Sequence, residues 1–229
     1  MKPKVGVVLS GCGFLDGSEI HESVLTLLCL DEAGAAAMCT APKGPQLHVV
    51  DHAQKAPASG TRDMFVEAAR IARGRIQDLA TLRAADLDAV ILPGGFGAAK
   101  NLSDFASKGA AAVPHPEVAR LLRDMHAAKK PIGAICIAPA VVAAALGRTV
   151  HPTLTIGDDQ GTAAALVAMG CVHRECPVTG CVVDDANGIV STPAYMFDAS
   201  VGEVAMGVRK LVDAVLARVS RRAEAGGRA

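Results

Sequence analysis

The sequence predicts a three-layer α/β domain, with a doubly wound, mostly parallel sheet covered by helices on both faces. Three observations carry that expectation. Short apolar runs such as KVGVVLS at 4–10 and the stretch 87–92 alternate with longer segments of helical pattern, the order from which parallel sheets are built. The 229 residues are enough for one sizeable core without a second domain. Hydrophobic residues make up 51% of the chain but aromatics only 3%, so the core must be Ala, Val, Leu and Ile, as in helices packed closely on a sheet.

In chain order, the strand at 4–10 is broken by Gly11-Cys12-Gly13. Ser18 is a candidate N-cap for a helix over 19–32 that stops at Gly34, where glycine ends a helix at least cost. A second strand at 35–41 is closed by Pro42, and a polar section follows with one short strand around 47–50. Residues 62–72 read as an amphipathic helix, and 87–92 as a central strand ending in Pro93-Gly94-Gly95. A helix at 116–128 precedes the apolar stretch Pro131-Ile132-Gly133-Ala134-Ile135-Cys136, and a helical pattern follows from 141 to 146. Then come a strand at 153–156, a helix at 160–169, and a hairpin pairing 181–184 with 189–192 around Asn187-Gly188, a dipeptide suited to tight hairpin turns. A long helix at 199–217 ends the domain. The expected organisation is a single domain over 1–219 and a flexible polar tail over 220–229.

Several function classes recede. With 23 basic and 23 acidic residues the formal charge is zero, so no electrostatic footprint for nucleic acid is visible. No apolar run is long enough to span a membrane. The Gly11-x-Gly13-x-x-x-Gly17 spacing is one residue too long for a dinucleotide loop, and the second strand ends in Cys39-Thr40-Ala41-Pro42 without an acid for a ribose. No phosphate loop is present. Cys171, Cys176 and Cys181 form no Cys-x-x-Cys knuckle, so no metal or other cofactor is expected. Seven cysteines without a secretory leader predict free thiols and a cytoplasmic protein.

The chemistry concentrates at strand ends. Cys136 lies where an apolar strand meets a helix. There the free N–H groups of the first helical turn favour a thiolate and are expected to lower its pKa; a small buried apolar cysteine is the plainer alternative. Glu19 and Glu22, three apart on one helix, read either as a carboxylate pair with one raised pKa or as an ordinary solvated helix start. Pro93-Gly94-Gly95-Phe96-Gly97 is a glycine turn whose N–H groups, with that of Ile137, would form an oxyanion hole if Cys136 lies opposite.

Taken together, Ser10-Gly11-Cys12-Gly13, Asp16-Gly17-Ser18-Glu19-Ile20-His21-Glu22, Pro93-Gly94-Gly95-Phe96-Gly97-Ala98-Ala99-Lys100-Asn101-Leu102, Cys136-Ile137-Ala138-Pro139-Ala140, Leu154-Thr155-Ile156-Gly157 and Thr192-Pro193-Ala194-Tyr195-Met196 resemble the ElbB-like branch of the ThiJ/PfpI superfamily. The resemblance covers residues 4 to about 216 and implies the flavodoxin-like, class I glutamine amidotransferase-like fold. It implies Cys136 as nucleophile, Glu22 as the glutamate bonded to the thiol, and Gly95 and Ile137 as backbone donors of the oxyanion site. It further implies a homodimer with glutathione- and metal-independent glyoxalase activity on a small dicarbonyl, converting glyoxal or methylglyoxal to glycolate or lactate. A thiol redox sensor built on the same Cys136 is the alternative. The chain departs from the wider superfamily in lacking a histidine beyond the elbow helix: Gly157 stands there, and His151 precedes the strand. Ile137 replaces the histidine that peptidase relatives carry after the cysteine, and His173-Arg174-Glu175 comes too early for an amidotransferase His-x-Glu.

Overall fold

A computed structural model describes residues 2–226. Its elements are β1 (Lys4–Val8), α1 (Ile20–Glu32), β2 (Ala36–Ala41), β3 (Val50–Asp51), β4 (Ala56–Pro57), α2 (Met64–Ile71), β5 (Ile76–Asp78), β6 (Ala89–Leu92), α3 (Phe96–Lys100) and α4 (Phe105–Lys108). There follow α5 (Pro116–Ala127), β7 (Ile132–Ile135), α6 (Ala138–Val150), β8 (Thr153–Leu154), α7 (Gln160–Ala168), β9 (Val172–His173), β10 (Val182–Asp184), β11 (Ile189–Thr192) and α8 (Val201–Gly226).

Seven strands form one sheet in the order β10-β11-β7-β6-β1-β2-β5. Every neighbouring pair is parallel except β10–β11, the expected hairpin at one edge. From β1 the chain steps outward through β2 and β5; from β6 it steps the other way through β7 and β11. The direction reverses between β1 and β6, and in such sheets ligands gather beyond the carboxyl ends of the strands at that reversal.

Side chains alternate across the sheet and supply two cores. Val8, Val90, Leu92, Ile132 and Ala134 face α5, α6 and α7, meeting Leu121, Leu122, Met125, Val142 and Leu166. Val5, Val7, Ala89, Ile91 and Ile135 face α1, α2 and α8, meeting Leu30, Ala68, Val208, Leu211 and Val215. Gly133 sets how closely α8 can lie on the sheet, because a Cβ there would stand 3.0 Å from Leu211 Cδ2.

The three-layer flavodoxin-like fold is as expected, and the differences are local. The helices α3 and α4 have five and four residues, and β5 has three, too few for a hydrophobic period to show. Pairing with β4 moves the short strand to Val50–Asp51. The tail expected from Ser220 is helical through Gly226, continuing α8; the rest of that segment, 227–229, lies outside the described residues.

Candidate active site

The site is assembled from the loops after β1, β6 and β7. Ser18, expected as the N-cap of α1, instead closes the first loop: Ser10 N–H donates to its Oγ at 2.8 Å, and Gly13 N–H donates to its carbonyl at 2.8 Å. Asn101 reaches across from the end of α3, donating from Nδ2 to the carbonyls of Ser10 and Asp16, both at 2.9 Å. The N-cap of α1 is Glu19, whose Oε2 accepts from Glu22 N–H at 2.6 Å. That bond turns the Glu19 carboxylate back over the first turn and leaves Glu22 aimed at the sheet.

The loop after β6 needs its glycines. A Cβ on Gly94 would sit 2.6 Å from Cys136 Cβ, 2.8 Å from Glu22 Oε2 and 2.8 Å from the Ile135 carbonyl. Gly95 has φ of +89° and leaves space for the Glu19 amide and the Gly17 carbonyl, 2.4 and 2.5 Å from where its Cβ would lie. Side chains rarely adopt such a φ. The turn is held from the first loop, with Glu19 N–H donating to the Gly94 carbonyl at 3.0 Å and Gly97 N–H to the Gly17 carbonyl at 2.9 Å.

Cys136 follows the last residue of β7 with φ of +59°, a left-handed conformation unusual for a side-chain-bearing residue. Its N–H donates to the Thr192 carbonyl at 2.9 Å, tying it to the end of β11. The chain then turns through Ile137 into α6, with Pro139 in the first turn, where its missing N–H is no loss. The outcome is a strand–turn–helix elbow with the sulfur held above the sheet.

The structure places all four expected site residues together. Glu22 is fully buried; its Oε2 accepts from Gly94 N–H at 2.8 Å and its Oε1 from Tyr195 N–H at 3.5 Å. Its carboxyl also lies beside the Cys136 thiol, and the N–H groups of Gly95 and Ile137 face the same sulfur closely enough to favour its thiolate. Cys136 itself is 7% exposed.

Burial pushes the Glu22 pKa up to about 8, and the Glu19 carboxylate adds to the rise. The carboxylate reading of the Glu19/Glu22 spacing is therefore the one the geometry matches. The expected lowering of the Cys136 pKa is not found: burial and the facing Glu22 charge push the thiol up, outweighing the Gly95 and Ile137 N–H groups. Sealing the sulfur against a carboxyl disfavours the thiolate by more than the N–H groups of the helix start favour it. The two groups form one coupled acid, and protonating Glu22 removes the repulsion that opposes the thiolate.

No histidine among the described residues hydrogen-bonds either group. His21 Nδ1 pairs with Tyr195 Oη at 2.8 Å on the surface beside Glu22. His151 caps α6 and bonds the Gly170 carbonyl at 2.9 Å, while His173 accepts from Ile156 N–H at 3.4 Å. Gly157, at the position of the absent histidine, packs against Phe197 with φ of +77°. The Gly94 bond to Glu22, the Asn101 brace and the Tyr195 N–H are not legible in the sequence, where Gly94 stands out only as part of a glycine turn and the other two only within the motifs. Each of these bonds joins segments more than fifty residues apart.

A parallel α/β sheet carrying a cysteine elbow opposite a buried glutamate defines a class of cysteine-centred α/β proteins. Residues 15–191 match the DJ-1/PfpI family, and the chain belongs to it. It is 45% identical over 93% of its length to the human "Glutamine amidotransferase-like class 1 domain-containing protein 3, mitochondrial", covering 82% of that protein. It is 44% identical over 94% of its length to the rat "ES1 protein homolog, mitochondrial", covering 84% of it. Among solved structures, an isoprenoid biosynthesis protein with amidotransferase-like domain from Ehrlichia chaffeensis superposes with a TM-score of 0.90 at 39% identity, over 95% of this chain and 99% of that one. Both of these relatives are named as mitochondrial proteins, which overturns the cytoplasmic expectation. Among the described residues no helix is long and apolar enough to cross a membrane.

Proposed function

We propose that this chain is an ElbB-like, cofactor-independent glyoxalase in which Cys136 is the nucleophile and Glu22 the proton shuttle. The observation that carries the reading is the fully buried Glu22 carboxyl, held by Gly94 N–H beside the Cys136 thiol and pushed up to about 8. A carboxyl with that pKa gives and takes protons with comparable ease near neutral pH.

In the reaction, ionised Glu22 takes the thiol proton as sulfur adds to the aldehyde carbon of methylglyoxal. The hemithioacetal oxygen rests on the N–H groups of Gly95 and Ile137, which point at the sulfur in the free protein. Glu22 hands the thiol proton to that oxygen, and, ionised again, carries the proton of the former aldehyde carbon to the neighbouring carbon through an enediol, leaving a thioester of the 2-hydroxy acid. Water cleaves the thioester, releasing lactate and restoring the thiol; glyoxal gives glycolate by the same route. With no histidine base bonded to the pair, turnover is expected to be slow.

The chain acts as a homodimer in this reading. Ile20, Val24 and Leu28, between 42% and 49% exposed, form an apolar stripe at four-residue spacing along α1, the helix that carries Glu22. Lactate formation from methylglyoxal by purified protein, with Cys136→Ser as the comparison, tests the enzyme. A Cys136→Ser protein that keeps full turnover would overturn the assignment.

A second reading shares the geometry. Donors that converge on sulfur also suit the oxygens of a sulfenic or sulfinic acid, making Cys136 a thiol sensor. Selective oxidation of Cys136 by peroxide without dicarbonyl turnover would favour it.

A further inference from the structure

We propose that Cys176 and Cys181 are a second, separate redox site, a thiol pair that closes into an intramolecular disulfide when the protein meets hydrogen peroxide. The pair rests on a turn. Gly180 N–H donates to the Pro177 carbonyl at 2.8 Å, with Val178 and Thr179 at the corners. Cys176 and Cys181 stand immediately outside that closing pair. Such a turn brings the Cα atoms of its first and fourth residues within about 7 Å, so the chain reverses between the two cysteines. Disulfides form at a Cα separation of roughly 4.4–6.8 Å.

The side chains agree with the backbone. Cys176 Sγ lies over Gly180, 2.7 Å from where a Cβ would be, so glycine leaves open the side of the turn that leads to Cys181. The two thiols are near enough for charge on Cys181 to be felt at Cys176. Both are free and half-buried, whereas Cys29, Cys39 and Cys171 are buried in the cores. Burial pushes both thiols up, but Lys210 of α8 lies beside the pair and Arg218 beside Cys181, each favouring a thiolate. The turn itself is held in place: Thr192 Oγ1 donates to the Gly180 carbonyl at 2.7 Å, and Gly207 lets α8 lie against the Val178 carbonyl.

The chemistry balances. The Cys176 thiolate attacks one peroxide oxygen, an S–O bond forms, the O–O bond breaks, and the departing hydroxide takes a proton to become water. The Cys181 thiolate then attacks the sulfenic sulfur, an S–S bond forms, and the second hydroxide leaves as water. Two thiols and one peroxide give a disulfide and two waters, with two electrons passing from sulfur to oxygen; a dithiol reductant reverses the change. The short loop between the cysteines favours ring closure over bonding to a second chain.

The test is peroxide treatment of the full chain and of Cys136→Ser, followed by thiol alkylation under denaturing conditions and peptide mapping. Both cysteines fall in the tryptic peptide that follows Arg174. The expected product is that peptide lighter by two hydrogens and unalkylated, in both proteins, returning to the doubly alkylated form after reduction. In Cys181→Ser the peptide should gain oxygen at Cys176 instead. Doubly alkylated peptide at peroxide doses that oxidise Cys136 would overturn the proposal, as would Cys176 or Cys181 bonded to any other cysteine. Because Cys136→Ser retains this pair, failure here is distinguishable from failure of the Cys136 reading.

Discussion

The backbone N–H of Gly94 donates to Glu22 Oε2 at 2.8 Å, joining residues 72 apart in the chain. This bond places the buried carboxyl under the Cys136 elbow and makes the β6 turn part of the acid–base pair. Gly94→Ala tests it. The added methyl would meet Cys136 Cβ, Glu22 Oε2 and the Ile135 carbonyl below 3 Å, all parts of the buried frame. The expected outcome is a loss of about 1–3 kcal/mol in chemical denaturation and loss of dicarbonyl turnover. A variant with wild-type values for both would mean that the turn does not position Glu22.

Glu22→Gln separates charge from shape. Glutamine keeps an oxygen for the Gly94 N–H but cannot carry a proton between carbons, so turnover should fall by about 10²–10⁴-fold. In the wild type, kcat/KM should rise about tenfold per pH unit below about 8, as the pair loses its first proton, and level off above. A flat profile for the wild type between pH 6 and 8 would exclude Glu22 as the titrating base.

The same shift governs stability. The Glu22 pKa is about 8 in the fold against an ordinary 4.5, so between those values the folded chain holds a proton that the unfolded chain has lost. Stability from this group is complete below about pH 4.5 and declines as pH rises toward 8, by up to about 1.4 kcal/mol per unit. Glu22→Gln, neutral throughout, should show a shallower decline in urea midpoint over this range. Equal slopes would show that Glu22 is ionised in the folded protein at neutral pH.

Much of this was legible in the chain because it is local. The strands β1, β6 and β7 announce themselves as apolar runs ending in glycine or cysteine, and Glu22 lies a fixed distance into the helix after β1. The thiol's electrostatics were not legible, since its pKa depends on how tightly loops from three strands seal the site. Ser18 looked like a cap because serine before an acidic helix start usually is one. Here Asn101 and Ser10 hold the loop so that Glu19 takes that place, a choice made by residues about ten and eighty positions away.

Asn101 supplies the last prediction. Its Nδ2 donates to two carbonyls of the β1 loop, Ser10 and Asp16, and its Oδ1 accepts from Leu47 N–H at 3.0 Å. The side chain thus ties α3, which begins at the β6 turn, to the loop that leads into α1. Removing it leaves the Ser10 carbonyl and the Leu47 N–H without their partner, each costing about 1–3 kcal/mol where water cannot replace it, while the Asp16 carbonyl keeps the Gln46 Nε2 donor. Asn101→Ala should therefore lower stability by about 2–4 kcal/mol. It should also reduce turnover, because the two loops that hold Glu22 and Gly94 in register would lose their brace. Asn101→Asp keeps the acceptor for Leu47 but sets a carboxylate against two carbonyls, so it should be no better than alanine. Thermal denaturation and methylglyoxal kinetics on the two variants check this: if Asn101→Asp were close to wild type, the Nδ2 bonds would not be what braces the site.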